Sequence, residues 1–174
     1  MVNRGNQHHK AHVRSFSFLK IPLYLNWAGE SANAVQVQEF CDQFLELAHQ
    51  AVVYSPWVTW MYDYLSSHNA IQCFILITAT PQEEIEQILD MLEIAQYFTE
   101  VHGAPKTKTI VVNEVLSRLG YSPEQALIIG DSKTDLKASE ENNVAFLLRR
   151  TPFNKELQQQ FQGPSVESLN FKAQ

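Results

Sequence analysis

From Ala70 onward the chain repeats one pattern, a short and wholly apolar run followed by a helical segment. The runs are Phe74 to Ile77, a brief one near Val101, Leu127 to Ile129, and Val144 to Leu148. Strands without polar alternation are buried on both faces, and helices between them supply the crossovers that parallel strands need. The pattern therefore predicts an α/β fold, a doubly wound parallel sheet with helices on both sides. Thr80 as N-cap, Pro81 in the first turn and Glu83 three residues after the cap predict the start of one helix, whose buried stripe is Ile85, Ile88, Leu89 and Leu92. A further helix over 109–119 is expected to end at Gly120 in a left-handed cap.

The first third reads differently. Residues 1–12 are polar and without periodicity, which predicts a frayed terminus. Residues 13–27 are aromatic-rich, are interrupted by Pro22, and fit neither period. Val37, Phe40, Cys41, Phe44, Leu47, Ala48 and Ala51 recur at three and four residues, as on an amphipathic helix over 33–53. A second helix is expected over 58–66, where Trp57, Trp60, Met61, Tyr64 and Leu65 read as packing. Beyond Arg150 the Gln-rich sequence predicts a polar tail.

Composition excludes some roles. A formal charge of −6 provides no field to hold nucleic acid or an anionic membrane. Cys41 and Cys73 both lie in apolar stretches and suit buried free thiols, hence a cytoplasmic location. No apolar stretch approaches the ~20 residues of a transmembrane helix.

Ligands of open α/β sheets bind beyond the carboxyl ends of the strands. After the first run stand Thr78, Ala79 and Thr80, which offer a hydroxyl and backbone N–H groups as a phosphate cradle. Lys106 and Lys108 precede the next helix and are candidate counter-charges. After Leu127 to Ile129 comes Gly130-Asp131-Ser132-Lys133-Thr134-Asp135, with two carboxylates of the kind that suit Mg²⁺. Taken singly, these residues also read as a cap pair, solvated charges and first-turn acids opposing a helix dipole.

Together the segments "ITATPQEEI", "GAPKTK" and "LIIGDSKTDLKAS" resemble the haloacid dehalogenase superfamily, in particular its phosphoglycolate-phosphatase-like hydrolases, over about residues 34–150. The resemblance implies a Rossmann-like core and Mg²⁺-dependent hydrolysis of a small phosphorylated substrate. It assigns phosphate binding to Thr78, Ala79 and Lys108, with Lys106 as the weaker alternative to Lys108, and metal binding to Asp131 and Asp135. It also implies a layout of residues 13–55 as a helical cap-like remnant and 56–150 as the core, flanked by the 1–12 terminus and the 151–174 tail.

One departure stands out. The family's nucleophile is the first Asp of a DxDG motif ending a central strand, and no DxDG occurs among the five Asp of this chain. By the same resemblance, that strand lies between those ending at Thr78 and Asp131. The sequence thus reads as an N-terminally truncated or degenerate phosphatase, inactive alone. The alternative is a non-catalytic phosphate- and Mg²⁺-binding or protein-interaction module. Either way two sheet edges are expected to be exposed, which favours self-association or a partner chain supplying the missing strand.

Overall fold

The computed structural model describes residues 21–29 and 33–168, and the readings for residues 1–12 and 13–20 lie outside them. The chain forms two compact units that meet in sequence at Ser55/Pro56. In the first, residues 21–27 are helical and α1 spans Ala34–Val53. Asn33 begins α1 with a capping box: its side chain accepts from the Val35 and Gln36 N–H groups, and the Gln36 side chain accepts from the Asn33 N–H. Of the expected stripe only Val37 and Cys41 are buried, while Phe40, Phe44 and Leu47 are exposed.

The second unit contains the sheet. Helix α2 covers Met61–His68 and starts later than its sequence suggests, because Trp60 takes a left-handed φ of 73° at the N-cap position. The aromatic residues around it pack edge to face, Trp57 on Tyr62, Tyr62 on Tyr97 and Tyr64 on Phe74. The elements then alternate: β1 (Ile75–Pro81), α3 (Gln82–Met91), β2 (Glu100–Ala104), α4 (Lys108–Leu119), β3 (Leu127–Gly130), α5 (Lys133–Asn142) and β4 (Ala145–Arg149). The chain closes with α6 (Lys155–Gln160) and β5 (Ser165–Val166). All described pairings are parallel, β1 with β2, β3 with β4, and β4 with β5.

Three sequence expectations need correction. Thr80 is not an N-cap: β1 runs on to Pro81, which takes the cap position of α3 without a side-chain bond. Extended backbone before a proline competes with helix initiation there and wins. The polar tail is also part of the fold. Leu157 on α6 is 3% exposed and packs with Phe146 and Leu148 of β4, and β5 adds a strand beside β4. Single apolar residues in a Gln-rich segment were enough to seat it. Cys73, expected to be buried, is exposed, whereas Cys41 is buried; both are free. Gly120 ends α4 at φ 72°, the left-handed cap expected of it.

Helices cover both faces. Leu76 of β1 packs into a cluster with Ile85, Ile88 and Leu89 of α3. The next residue, Ile77, points the other way into a cluster with Val112 of α4 and Ala138 of α5. Ile128 of β3 enters that same cluster, so α4 lies under strands of both sheets.

The strands nonetheless form two separate sheets, β1-β2 and β3-β4-β5. Among the described residues no ladder joins β1 to β3, and each presents a free edge. Beside that gap, Leu127 and Ile129 of β3 are exposed.

Candidate active site

The site is assembled at the carboxyl ends of the strands. Lys108 begins the helix after β2, Asp135 lies in the first turn of the helix after β3, and they form an ion pair at 2.5 Å. The pair places the carboxyl ends of β2 and β3 on one side; because β1 runs parallel to β2, Thr78 opens to that side too.

Asp135 is the most heavily engaged of these residues. Its Oδ1 accepts from Lys108. Its Oδ2 accepts from the Asp131 and Ser132 N–H groups at 3.3 and 3.0 Å and from the Ser132 hydroxyl at 2.6 Å. Ser132 is the N-cap of α5 and completes a capping box with Asp135. The S-x-x-D spacing advertises this box, yet the sequence reading assigned the carboxylate to metal. A Cβ on Gly130 would collide with the Asp135 side chain, so the glycine lets the strand end press against it.

Asp131 is the opposite case. Among the described residues no hydrogen bond reaches its carboxylate, and it is exposed. Its main chain is held at both ends, the N–H by Asp135 and the C=O by the Asn154 side chain at 2.9 Å. Lys106 is directed elsewhere, to Glu114 at 2.6 Å.

Thr78, Ala79 and Thr80 form a bulge. Ile77 is opposite His102 and Pro81 opposite Ala104, so the three residues face Gly103 alone. Bulges of this kind re-aim side chains. Thr78 Oγ1 accepts the Thr80 N–H at 3.1 Å and donates to Thr80 Oγ1. Gln82, a residue with no signal in the sequence, holds the bulge to β2: it accepts the Gly103 N–H at 2.6 Å and donates to the Val101 C=O at 3.1 Å. Gly103 is required there, since a Cβ would lie 2.6 Å from the Gln82 backbone.

Behind the sheet, Arg118 donates to both carboxylate oxygens of Glu100, and His102 lies 2.7 Å from the same group. The guanidinium, helped by His102, holds the Glu100 carboxyl down to about 2. His102 is thereby engaged with Glu100.

The residues present fit a magnesium ion at Asp131. It offers an unengaged hard oxygen donor, and Mg²⁺ is content with one or two carboxylates plus water and phosphate. Among the described residues no group of three or more His, Cys, Asp or Glu is arranged to hold a metal, so an all-protein cage is not on offer. Asp135 Oδ2 is taken up by the loop amides and the Ser132 hydroxyl, whereas Oδ1, which accepts only from Lys108, keeps a lone pair.

The chain is similar to several known proteins. The chain is 33% identical to phosphoglycolate phosphatase of Salmonella choleraesuis over 102 residues, 54% of this chain and 38% of that enzyme. The Escherichia coli K12 phosphoglycolate phosphatase is 32% identical over 71 residues, 27% of its length. The chain thus spans well under half of the curated relatives it matches. Among solved structures, a haloacid dehalogenase-superfamily hydrolase from Geobacter sulfurreducens superposes with a TM-score of 0.62 at 16% identity, over 96% of this chain and 76% of that one. A haloacid dehalogenase-like protein from Streptococcus pneumoniae gives 0.58 at 18% identity, over 94% and 88%. At such identities the structures speak for the fold. Residues 6–148, most of the chain, match the haloacid dehalogenase-like hydrolase family, and the chain belongs to that family.

Proposed function

We propose that this chain carries the phosphate- and Mg²⁺-binding half of a phosphohydrolase for a small phosphorylated metabolite, and that it is silent by itself because it lacks the nucleophilic aspartate. The observation that carries this reading is the gathering of Lys108, Asp135 and the unengaged Asp131 beyond the same strand ends as the Thr78 bulge, at a gap between β1 and β3 that no described residue bridges with a ladder. Thr78, Ala79 and Lys108 would hold the phosphoryl oxygens and Asp131 the magnesium ion, with Asp135 steadying Lys108 and the loop. Bound there, the metal would neutralise charge on the phosphoryl group. In-line transfer to a carboxylate cannot proceed without that carboxylate, so the cradle alone would bind phosphate without turning it over. The relatives named phosphoglycolate phosphatase make small phosphomonoesters the first substrates to try.

The second reading, a non-catalytic binding or protein-interaction module, rests on the same gap. A strand set between β1 and β3 by another chain, or by self-association, would complete the sheet. A net charge of −6 offers nothing to nucleic acid or membrane, and among the described residues no helix is long and apolar enough to cross a bilayer. Two free thiols suit a cytoplasmic location.

The test is Mg²⁺-dependent hydrolysis of an aryl phosphate by the purified chain and by Asp131→Asn prepared identically, with phosphate binding measured in parallel. Equal background rates, together with phosphate binding that Asp131→Asn weakens, are expected. Turnover that disappears in Asp131→Asn would refute silence and demand another nucleophile. Absence of phosphate binding would sink the site itself.

A further inference from the structure

The segment after β4 is tied to the candidate metal loop by the Asn154 side chain. Asn154 Nδ2 donates to the Asp131 C=O at 2.9 Å and to the Arg149 C=O at 2.8 Å. Its Oδ1 accepts the Thr151 N–H at 2.9 Å and Gln158 Nε2 at 2.6 Å. The amide orientation is unambiguous, because one end faces two carbonyls and the other two donors. A second tie runs in parallel, from Lys133 to Glu156 at 2.8 Å. Asn154 therefore links the end of β4 to the end of β3 and pins the peptide whose side chain is the unengaged Asp131 carboxylate.

We propose that Asn154 is a positioning residue for the cation site, acting through the backbone of Asp131. The inference rests on the metal-binding reading given above. With the Asp131 N–H held by Asp135 and its C=O held by Asn154, only side-chain torsions remain free, and the carboxylate stays directed out of the loop. Remove the Asn154 amide and the Asp131–Ser132 peptide loses its outer restraint. Outer-shell partners of this kind are worth about 10–100-fold in metal affinity.

The test uses the full 174-residue chain, with Mn²⁺ as probe read by electron paramagnetic resonance. Asn154→Ala is expected to weaken Mn²⁺ binding about tenfold. Asn154→Asp keeps the acceptor for Thr151 and Gln158 but loses the donor, and is expected to weaken binding too. Its added negative charge acts in the opposite direction, so weakening there is diagnostic. Phe153→Ala is the control, since that side chain is 98% exposed, and should leave affinity unchanged.

Amide hydrogen exchange without metal is the second measurement. The Ser132 amide should exchange about tenfold faster in Asn154→Ala, while the Val111 and Leu148 amides in the core remain as slow as before. Unchanged Ser132 exchange overturns the proposal, as does acceleration of all three amides, which would make Asn154 merely structural. If the unmodified chain takes up no Mn²⁺, the metal reading fails, and exchange alone decides whether Asn154 orders the loop.

Discussion

Replacing each of the two aspartates of the GDSKTD segment by alanine should give opposite results. Asp135 has a side chain 11% exposed and is paired with Lys108 at 21%. Its loss leaves a partly buried ammonium without its partner and frees the Asp131 and Ser132 amides and the Ser132 hydroxyl. Breaking a fully buried pair costs about 3–5 kcal/mol, and this one retains some solvent. Losing the carboxylate half of the capping box adds up to about 1 kcal/mol. Together they give about 3 kcal/mol. For a chain of this size that lowers the melting temperature by about 6–12 °C. Asp131→Ala removes an exposed carboxylate with no hydrogen bond and should stay within about 0.5 kcal/mol. Thermal unfolding followed by circular dichroism reads both. Added Mg²⁺ reverses the contrast: at 100 times its dissociation constant it should stabilise the unmodified chain by about 2.7 kcal/mol and leave Asp131→Ala untouched. Equal melting temperatures for the two variants, or full Mg²⁺ stabilisation of Asp131→Ala, would refute this division of labour.

Three other outcomes follow from the packing. Gly103→Ala should cost about 3 kcal/mol or more in denaturant titration, because its Cβ meets backbone at Gln82 and the Thr80 carbonyl instead of a movable side chain. Leu157→Ala should cost about 2–5 kcal/mol, a value a disordered tail would not give. Glu100, held near 2 by Arg118, is depressed relative to its unfolded value of 4.5. Its stabilisation is therefore complete above that value and disappears as pH falls towards 2; about 1 kcal/mol is expected, given the half-exposed arginine. Glu100→Gln should flatten the melting temperature across that window only.

The strands and long helices were legible because burial on both faces, or along one stripe, dictates composition directly. β3 and β4 occur where wholly apolar runs stand, and α4 stops at Gly120. What was not legible depends on contacts distant in sequence. Nothing local tells that Gln82 will clamp Gly103 21 positions away, or that Asn154 will reach Asp131. Thr80 looks like a cap in isolation, but extended backbone before Pro81 and the distant pairing of Pro81 with Ala104 together keep it in β1. At the site, residue types and order were visible, whereas Asp135 revealed its division between Lys108 and the loop amides only in three dimensions.

Val112 shares a cluster with Ile77 on one sheet and Ile128 on the other, and among the described residues no backbone ladder joins those sheets. Coupling between the β1-β2 and β3-β4-β5 halves therefore passes through the packing and side-chain bonds of α4 and α5, the Lys108–Asp135 pair among them, rather than through sheet hydrogen bonds. Such coupling weakens when an interface loosens by a methyl group or two. Val112→Ala should thus separate one unfolding transition into two, the β1-β2 half melting apart from the β3-β4-β5 half.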